Sequence, residues 1–154
     1  MLPIAIALPD AQCTGLDSIK KKMDAVQRII AELKLPNATA LVGRSEDLGH
    51  EAKHREKYDV VTARAVAALP LLLELTSPFA KVGGHIVLWK SLHIDEELEA
   101  SKSTQKKLNC PLLLKHEYTL PGDWGTRQLL VFTKEAALEK LYPRPTALAK
   151  KQPL

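Results

Sequence analysis

Apolar residues fall in short blocks separated by polar turns, and the period of the blocks changes along the chain. The opening is ambiguous: Ile4 to Leu8 alternates weakly, as a strand would, yet Pro3 can begin a helix that Pro9 stops. Gln12 to Leu16 reads as a short strand. Ile19, Met23, Val26, Ile30 and Leu33 then recur at helical spacing, one apolar stripe of an amphipathic helix. Ser18 stands where an N-cap belongs, with Asp17 just before it, and Pro36-Asn37 ends the helix. Thr39 to Val42 is the next strand, followed by a polar stretch from Gly43 to Lys57. Tyr58 to Thr62 is apolar on both faces, as expected inside a parallel sheet. Pro70 opens a leucine-rich helix that Gly83-Gly84 closes, and Ile86 to Trp89 is a fourth strand. Asp95 can cap a mostly polar helix running to about Leu108. Leu112 to Thr119 and Gln128 to Thr133 are the last strands, joined by a Pro-Gly-Asp-Trp-Gly turn.

Strands alternating with helices predict an α/β fold, a mostly parallel sheet with an antiparallel C-terminal hairpin. No repeat or low-complexity block interrupts it. Residues 1–134 read as one layered domain and 135–154 as a basic tail, able to hold phosphates or simply to end the chain in solvent.

Length and composition narrow the class. A chain of 154 residues with 45% hydrophobic and 26% charged positions can bury a real core, which excludes a disordered tail, a collagen-like rod and a coiled coil. The excess of 22 Lys+Arg over 18 Asp+Glu gives +4, a mild bias toward anionic partners such as RNA. Cys13 and Cys110 form neither a disulfide scaffold nor a metal-ligand spacing, which fits a reducing cytoplasm. The apolar stretch from Leu2 to Leu8 is too short to span a bilayer and has no basic lead-in, so a cytoplasmic protein without membrane association is expected.

Ligands of open α/β sheets sit beyond the carboxyl ends of the strands. Those ends here are Asp17, then Gly43-Arg44-Ser45-Glu46, then Thr62-Ala63-Arg64, then Lys90. If the final strand is antiparallel, its start at Arg127 joins the same rim. One acid and several cations thus converge, and an acid at a strand end can accept both hydrogen bonds of a ribose diol. That favours a nucleotide-like ligand over strand ends that are merely wet. No G-x-G-x-x-G or P-loop pattern is present.

The ordered set Asp10-Ala11-Gln12, Leu16-Asp17-Ser18 with Lys21-Lys22, Gly43-Arg44-Ser45-Glu46, Asp59-Val60-Val61-Thr62-Ala63-Arg64-Ala65, Gly83-Gly84, Arg127, Tyr142-Pro143-Arg144 and Pro153-Leu154 resembles a known family. It is similar to the bacterial 16S ribosomal RNA guanine-N7 methyltransferases, the glucose-inhibited-division protein B family. The resemblance implies a Rossmann-like class I sheet that uses S-adenosyl-L-methionine and acts, as a monomer, on 16S ribosomal RNA of the small ribosomal subunit. It implies that Asp17, Ser18 and Ile19 lie along the cofactor's ribose and that Ser45 and Glu46 edge its adenine. Arg64 would stand where cofactor and target base meet, with Arg127 beside it in catalysis. Arg44, Lys90, Arg127 and Arg144 would contact RNA. Against the family, Met1-Leu2-Pro3 begins where the glycine-rich cofactor loop should be finishing, after several helices and a first strand. Without that strand, the strands ending at Asp17 and Thr62 are expected to have open edges or to pair directly.

The chemistry agrees with the residues. Guanine N7 already exposes a lone pair, so methyl transfer needs placement and no general base. A cytosine-C5 enzyme would need a cysteine at the rim, and the Asn/Asp-Pro-Pro-aromatic motif of amine methylases is missing. The alternatives are a non-catalytic RNA-binding remnant and a zinc hydrolase, since His50-Glu51-Ala52-Lys53-His54 matches H-E-x-x-H. The charged neighbours of that motif favour a solvated linker helix. Trp124 could stack on a base, or cap its hairpin partly buried.

Overall fold

The computed structural model describes residues 1–64, 66–90, 92, 94–122 and 124–154. Its elements are α1 (Leu2–Ala7), β1 (Cys13–Asp17), α2 (Lys20–Glu32), β2 (Ala38–Val42), α3 (Ser45–Leu48), β3 (Tyr58–Arg64), α4 (Leu69–Thr76), β4 (Ala80–Lys90), α5 (Asp95–Ala100), α6 (Lys102–Lys107), β5 (Leu112–Thr119), β6 (Thr126–Thr133) and α7 (Thr146–Lys151). They form two compact units, Met1–Leu48 and Gly49–Leu154. Among the described residues, no helix is long and apolar enough to cross a membrane.

In the first unit β1 and β2 pair in parallel, from Cys13 opposite Ala38 to Asp17 opposite Val42. The amphipathic stripe places α2 on both strands: Met23 and Ile30 are buried, while Ile19 and Leu33, at its ends, stay about half exposed. The ambiguous opening is a helix, with Pro3 in its first turn where no amide hydrogen is needed. Asn37 does more than stop α2. Its buried amide donates to the carbonyls of Ala5 (3.0 Å), Leu8 (3.2 Å) and Ala11 (3.0 Å), tying α1 to the start of β2.

The second unit is a four-stranded sheet in the order β3-β4-β6-β5, with β3 parallel to β4 and the other two pairs antiparallel. The leucines of α4 pack with Ile86, Leu88, Leu130 and Phe132 of β4 and β6 in one core, closed by Ile94 and Leu108. Among the described residues β1 pairs only with β2 and β3 only with β4, so of the two expected outcomes the open edges are observed. An edge position also explains why β3 is not buried on both faces, as its composition suggested: Val60 remains 52% exposed.

Two boundaries move. Gly83-Gly84 does not close α4; it lies inside the eleven-residue strand β4. Gly83 takes φ +82°, and a Cβ on Gly84 would stand 2.8 Å from the carbonyl oxygen of Asp59. These glycines let a strand bend and approach its neighbour. The polar helix is two helices, broken at Ser101, whose hydroxyl donates back to the carbonyl of Leu98 (2.8 Å). Asp95 does not cap it but pairs with Lys115 (2.9 Å).

The segment 135–154, expected as a basic tail, is instead a strap docked on the second unit. The Arg55 guanidinium donates to four main-chain carbonyls, those of Gly49, Tyr142, Leu138 and Glu139, at 2.8–2.9 Å. Glu56 accepts from the amide of Leu138 (2.7 Å), and His50 Nε2 donates to the carbonyl of Pro143 (2.8 Å). The buried carboxylate of Glu74, on α4, accepts from Nε, Nη2 and the backbone amide of Arg144 at 2.7–2.9 Å. Ala149 of α7 then packs on Leu71 and Leu75. Polar residues that looked solvated are thus spent on the main chain of a distant segment.

Two consequences can be measured. Removing one partner of a buried ion pair strands the other, so Arg144→Met should lower unfolding free energy in urea by about 3 kcal/mol. Combining it with Glu74→Leu should recover most of that loss, the coupling expected of neighbours. Cys110 is fully buried, and burial pushes its thiol up to about 11. A folded-state pKa raised above the ordinary 9.0 stabilises the fold below pH 9 and loses that contribution as pH climbs toward 11. The stability gap between the wild type and Cys110→Ala should therefore narrow over that window. At pH 8 a thiol reagent should label the partly buried Cys13 faster and spare Cys110 until urea unfolds the chain.

Candidate functional site

The carboxyl end of β1 carries the most developed geometry. Asp17 Oδ1 accepts the amide hydrogen of Ile19 (2.8 Å), and Oδ2 lies 3.3 Å from Lys22 Nζ. The Ile19 amide, and then Lys22, hold the carboxyl below its ordinary range, so it is ionised at neutral pH. Ile19 rather than Ser18 occupies the cap position of α2; its side chain has no acceptor to cap with, and its own amide hydrogen goes to the Asp17 carboxylate. Asp17, Ser18 and Ile19 therefore form one short turn closed by the Asp17 carboxylate.

Beside this turn lies a cleft of about 340 Å³ lined by Met1, Leu2, Pro3, Gly15, Leu16, Asp17, Lys22, Met23 and Val26. Its lining is mostly apolar, with the ionised Asp17 and Lys22 as the charged members. A Cβ on Gly15 would stand 3.0 Å from Met1 Cε, so glycine clears that lining. An apolar lining with one ionised carboxylate can take a largely apolar ligand that donates hydrogen bonds. Each Asp17 oxygen retains a lone pair for a diol hydroxyl.

Beyond β2, Gly43 is required by space, since a Cβ would come within 2.7 Å of Leu48 Cδ1. The chain then enters α3, whose first turn carries Glu46 and Asp47, a placement the helix dipole favours. Arg44 Nε donates to Glu46 Oε1 (2.8 Å), so the cation expected at RNA and the acid expected at adenine pair with each other. Ser45 opens the same turn.

The second unit has its own rim. Arg64 stands opposite Trp89, and Lys90 opposite Gln128, next to Arg127 at the start of antiparallel β6. The expected gathering of Arg64, Lys90 and Arg127 at one sheet end is present within this unit. Arg64 and Arg127 are exposed. Lys90 is not an exposed phosphate contact: only 11% of its side chain is accessible, and Nζ pairs with Glu97 Oε2 at 2.6 Å. The same oxygen accepts the amide of Leu69, so this carboxylate caps α4 and needs a counter-charge beside it. Arg144 is corrected in the same sense, because its guanidinium is committed to Glu74 and its side chain is 12% exposed. Glu97, Glu74 and Arg55, which set these roles, had no signal in the sequence. Glu74 and Arg144 are 70 residues apart, and no spacing rule connects them.

The H-E-x-x-H reading fails on geometry. Residues 51–56 form turns, so the two imidazoles do not share a helix face. His50 Nε2 is spent on Pro143, while His54 Nδ1 bonds the Tyr58 hydroxyl (2.9 Å), its ring stacked on Tyr58. Among the described residues, no group of three or more His, Cys, Asp or Glu could hold a metal ion.

Comparison with known proteins bears on the family and the fold. The profile of the family described as rRNA small subunit methyltransferase G matches residues 1–117. The Ribosomal RNA small subunit methyltransferase G of Deinococcus radiodurans is 43% identical over 99% of this chain and 60% of its own length. That of Brevibacillus brevis is 40% identical, over 99% and 64% respectively. The chain therefore spans less than two thirds of these relatives. Among solved structures, the 16S rRNA (adenine(1408)-N(1))-methyltransferase W203A mutant of Catenulisporales acidiphilia, with cosubstrate SAM, is similar with a TM-score of 0.66 and 17% identity. The match covers 89% of this chain and 80% of that one. M. jannaschii TYW2 in complex with AdoMet gives 0.63 at 16% identity, over 86% and 61%. These likenesses give the fold, the Rossmann-like α/β sheet of class I methyltransferases with an antiparallel C-terminal pair. By the match over residues 1–117 and the identity to its curated relatives, the chain belongs to the rRNA small subunit methyltransferase G family.

Proposed function

We propose that this chain carries the ribose- and adenine-binding turns and the basic rim of an enzyme that methylates N7 of a guanine in 16S ribosomal RNA. The observation that carries the reading is the ionised Asp17 carboxylate, fixed across the turn from β1 to α2 beside an apolar cleft. Asp17 would hold the ribose diol of S-adenosyl-L-methionine, with the main chain of Ser18 and Ile19 along the sugar and Ser45 and Glu46 near the adenine. When bound, the cofactor supplies a methyl group activated on a sulfonium. The work of the chain is then placement, because guanine N7 has a lone pair and loses no proton. Arg64 and Arg127 would orient the base and neutralise neighbouring phosphates. Arg44 is a further RNA contact if its pairing with Glu46 yields to phosphate. Lys90 and Arg144 are left to positioning. The substrate would be the small ribosomal subunit or its RNA, met in the cytoplasm by a monomer.

The test is calorimetric titration of the chain with S-adenosylhomocysteine. Saturable binding is expected, weakened about tenfold or more in Asp17→Asn, the usual worth of hydrogen bonds to a charged group. Because the Asp17 carboxyl is held low, affinity should persist as pH falls through the ordinary carboxylate range and drop only below it. A folded chain that binds no cofactor but does bind RNA would replace this reading with the non-catalytic one. For RNA, Arg64→Ala and Arg127→Ala should each reduce the slope of log affinity against log salt by about one. Arg144→Met should leave that slope unchanged.

A further inference from the structure

The tip of the β5–β6 hairpin makes a poor turn cap and a good stacking platform. Trp124 is 74% exposed, the most exposed large apolar side chain among the described residues, so it is not the partly buried cap that its position suggested. An indole left in water forgoes the burial that ordinarily favours tryptophan in a fold. The turn closes without it, through the Leu120 amide on the Gly125 carbonyl (3.1 Å) and the facing hydroxyls of Thr119 and Thr126 (3.3 Å).

The ring is nevertheless placed. A Cβ on Gly122, at φ +64°, would lie 3.5 Å from Trp124 Cδ1, so the indole edge rests on a residue with no side chain. Arg127 repeats the arrangement, its Nη1 lying 3.3 Å from where a Cβ on Gly125 would stand. A guanidinium thus emerges three residues from the indole, and Arg127 faces Tyr118 across the hairpin. Because Lys90 pairs with Gln128, this tip extends from the same sheet end as Arg64. An exposed aromatic near an exposed guanidinium, which among the described residues donates only to the Thr126 carbonyl (3.0 Å) and pairs with no carboxylate, is the chemistry that takes an unpaired nucleobase and its phosphate.

We propose that Trp124 stacks on an unpaired base of the RNA substrate while Arg127 holds the adjoining phosphate, making the hairpin tip a single-strand contact. The proposal rests on the RNA reading above and adds to it a requirement for unpaired RNA. Stacking and charge leave different traces: losing a stack lowers affinity at every salt concentration, whereas losing a phosphate contact lowers the salt slope.

The test uses the full chain and a single-stranded oligoadenylate of about ten nucleotides, within the span of known stacking grooves. In a Trp89→Phe background Trp124 is the sole indole, and its fluorescence should be quenched on titration. The same oligonucleotide annealed to its complement should quench far less. Trp124→Ala should weaken binding about tenfold with an unchanged salt slope, and Trp124→Phe should restore most of it. If the wild type binds and Trp124→Ala binds equally well, the stacking role is overturned and the RNA reading stands. An indole held for a protein partner would give that same result. If the folded wild type binds neither the strand nor the duplex, the RNA reading itself fails.

Discussion

The second unit is organised around a carboxylate that has no water to turn to. Glu74 sits on α4 among leucines with 1% exposure, and a charge so placed is costly unless fully paired. Arg144 answers with a forked guanidinium and its own backbone amide. This geometry fixes where the strap meets α4, and with it the seating of Ala149 on Leu71 and Leu75. Arg55 gathers four main-chain carbonyls, three of them in the strap, where that of Glu139 also accepts the Tyr142 amide (3.1 Å). Such pairs add little net stability over an apolar core of the same shape. What they confer is register, because a leucine strap could slide and a fork on a carboxylate cannot.

Periodicity carried most of the architecture. Strands from Cys13 to Thr133 and the α2 stripe follow from alternation and from spacings of three and four, because each element buries one face against its neighbours. The errors have a common cause. Local preference makes Gly83-Gly84 a helix stop, but the close approach of the Asp59 carbonyl, a non-local fact, is what requires glycine at Gly84. The charge of the run from His50 to Glu56 suggests solvation, yet its polar groups serve carbonyls and amides more than 80 residues away. Composition records that a residue is polar and is silent on whether water or main chain satisfies it.

The same limit divides the candidate site. The strand-end rule locates residues, and it located Asp17, Arg64, Lys90 and Arg127 where the sheet ends are. It does not say what each faces. Lys90 and Arg64 both end strands of one sheet, but among the described residues only Lys90 pairs with a carboxylate, brought by α5 to cap α4. A cation at a strand end is thus a ligand contact only when no helix cap competes for it. That competitor lies on a different element and leaves no mark near the cation in sequence.

On the proposed reading, the choice of guanidinium at the exposed rim follows from the reaction. Guanine N7 needs its lone pair aimed and its neighbouring negative charge balanced, with no proton taken. An ammonium balances charge, but it is compact, strongly hydrated and prone to lose its proton when a site closes over it. A guanidinium keeps its charge, is planar and presents donors in a fixed fork, so it can orient a base edge and a phosphate together. Arg64 and Arg127 hold the exposed positions, and the lysine of the rim is the one drawn inward to a carboxylate. The division of labour is the one these two side chains' chemistry favours: arginine toward the nucleic acid, lysine toward the helix that supports it.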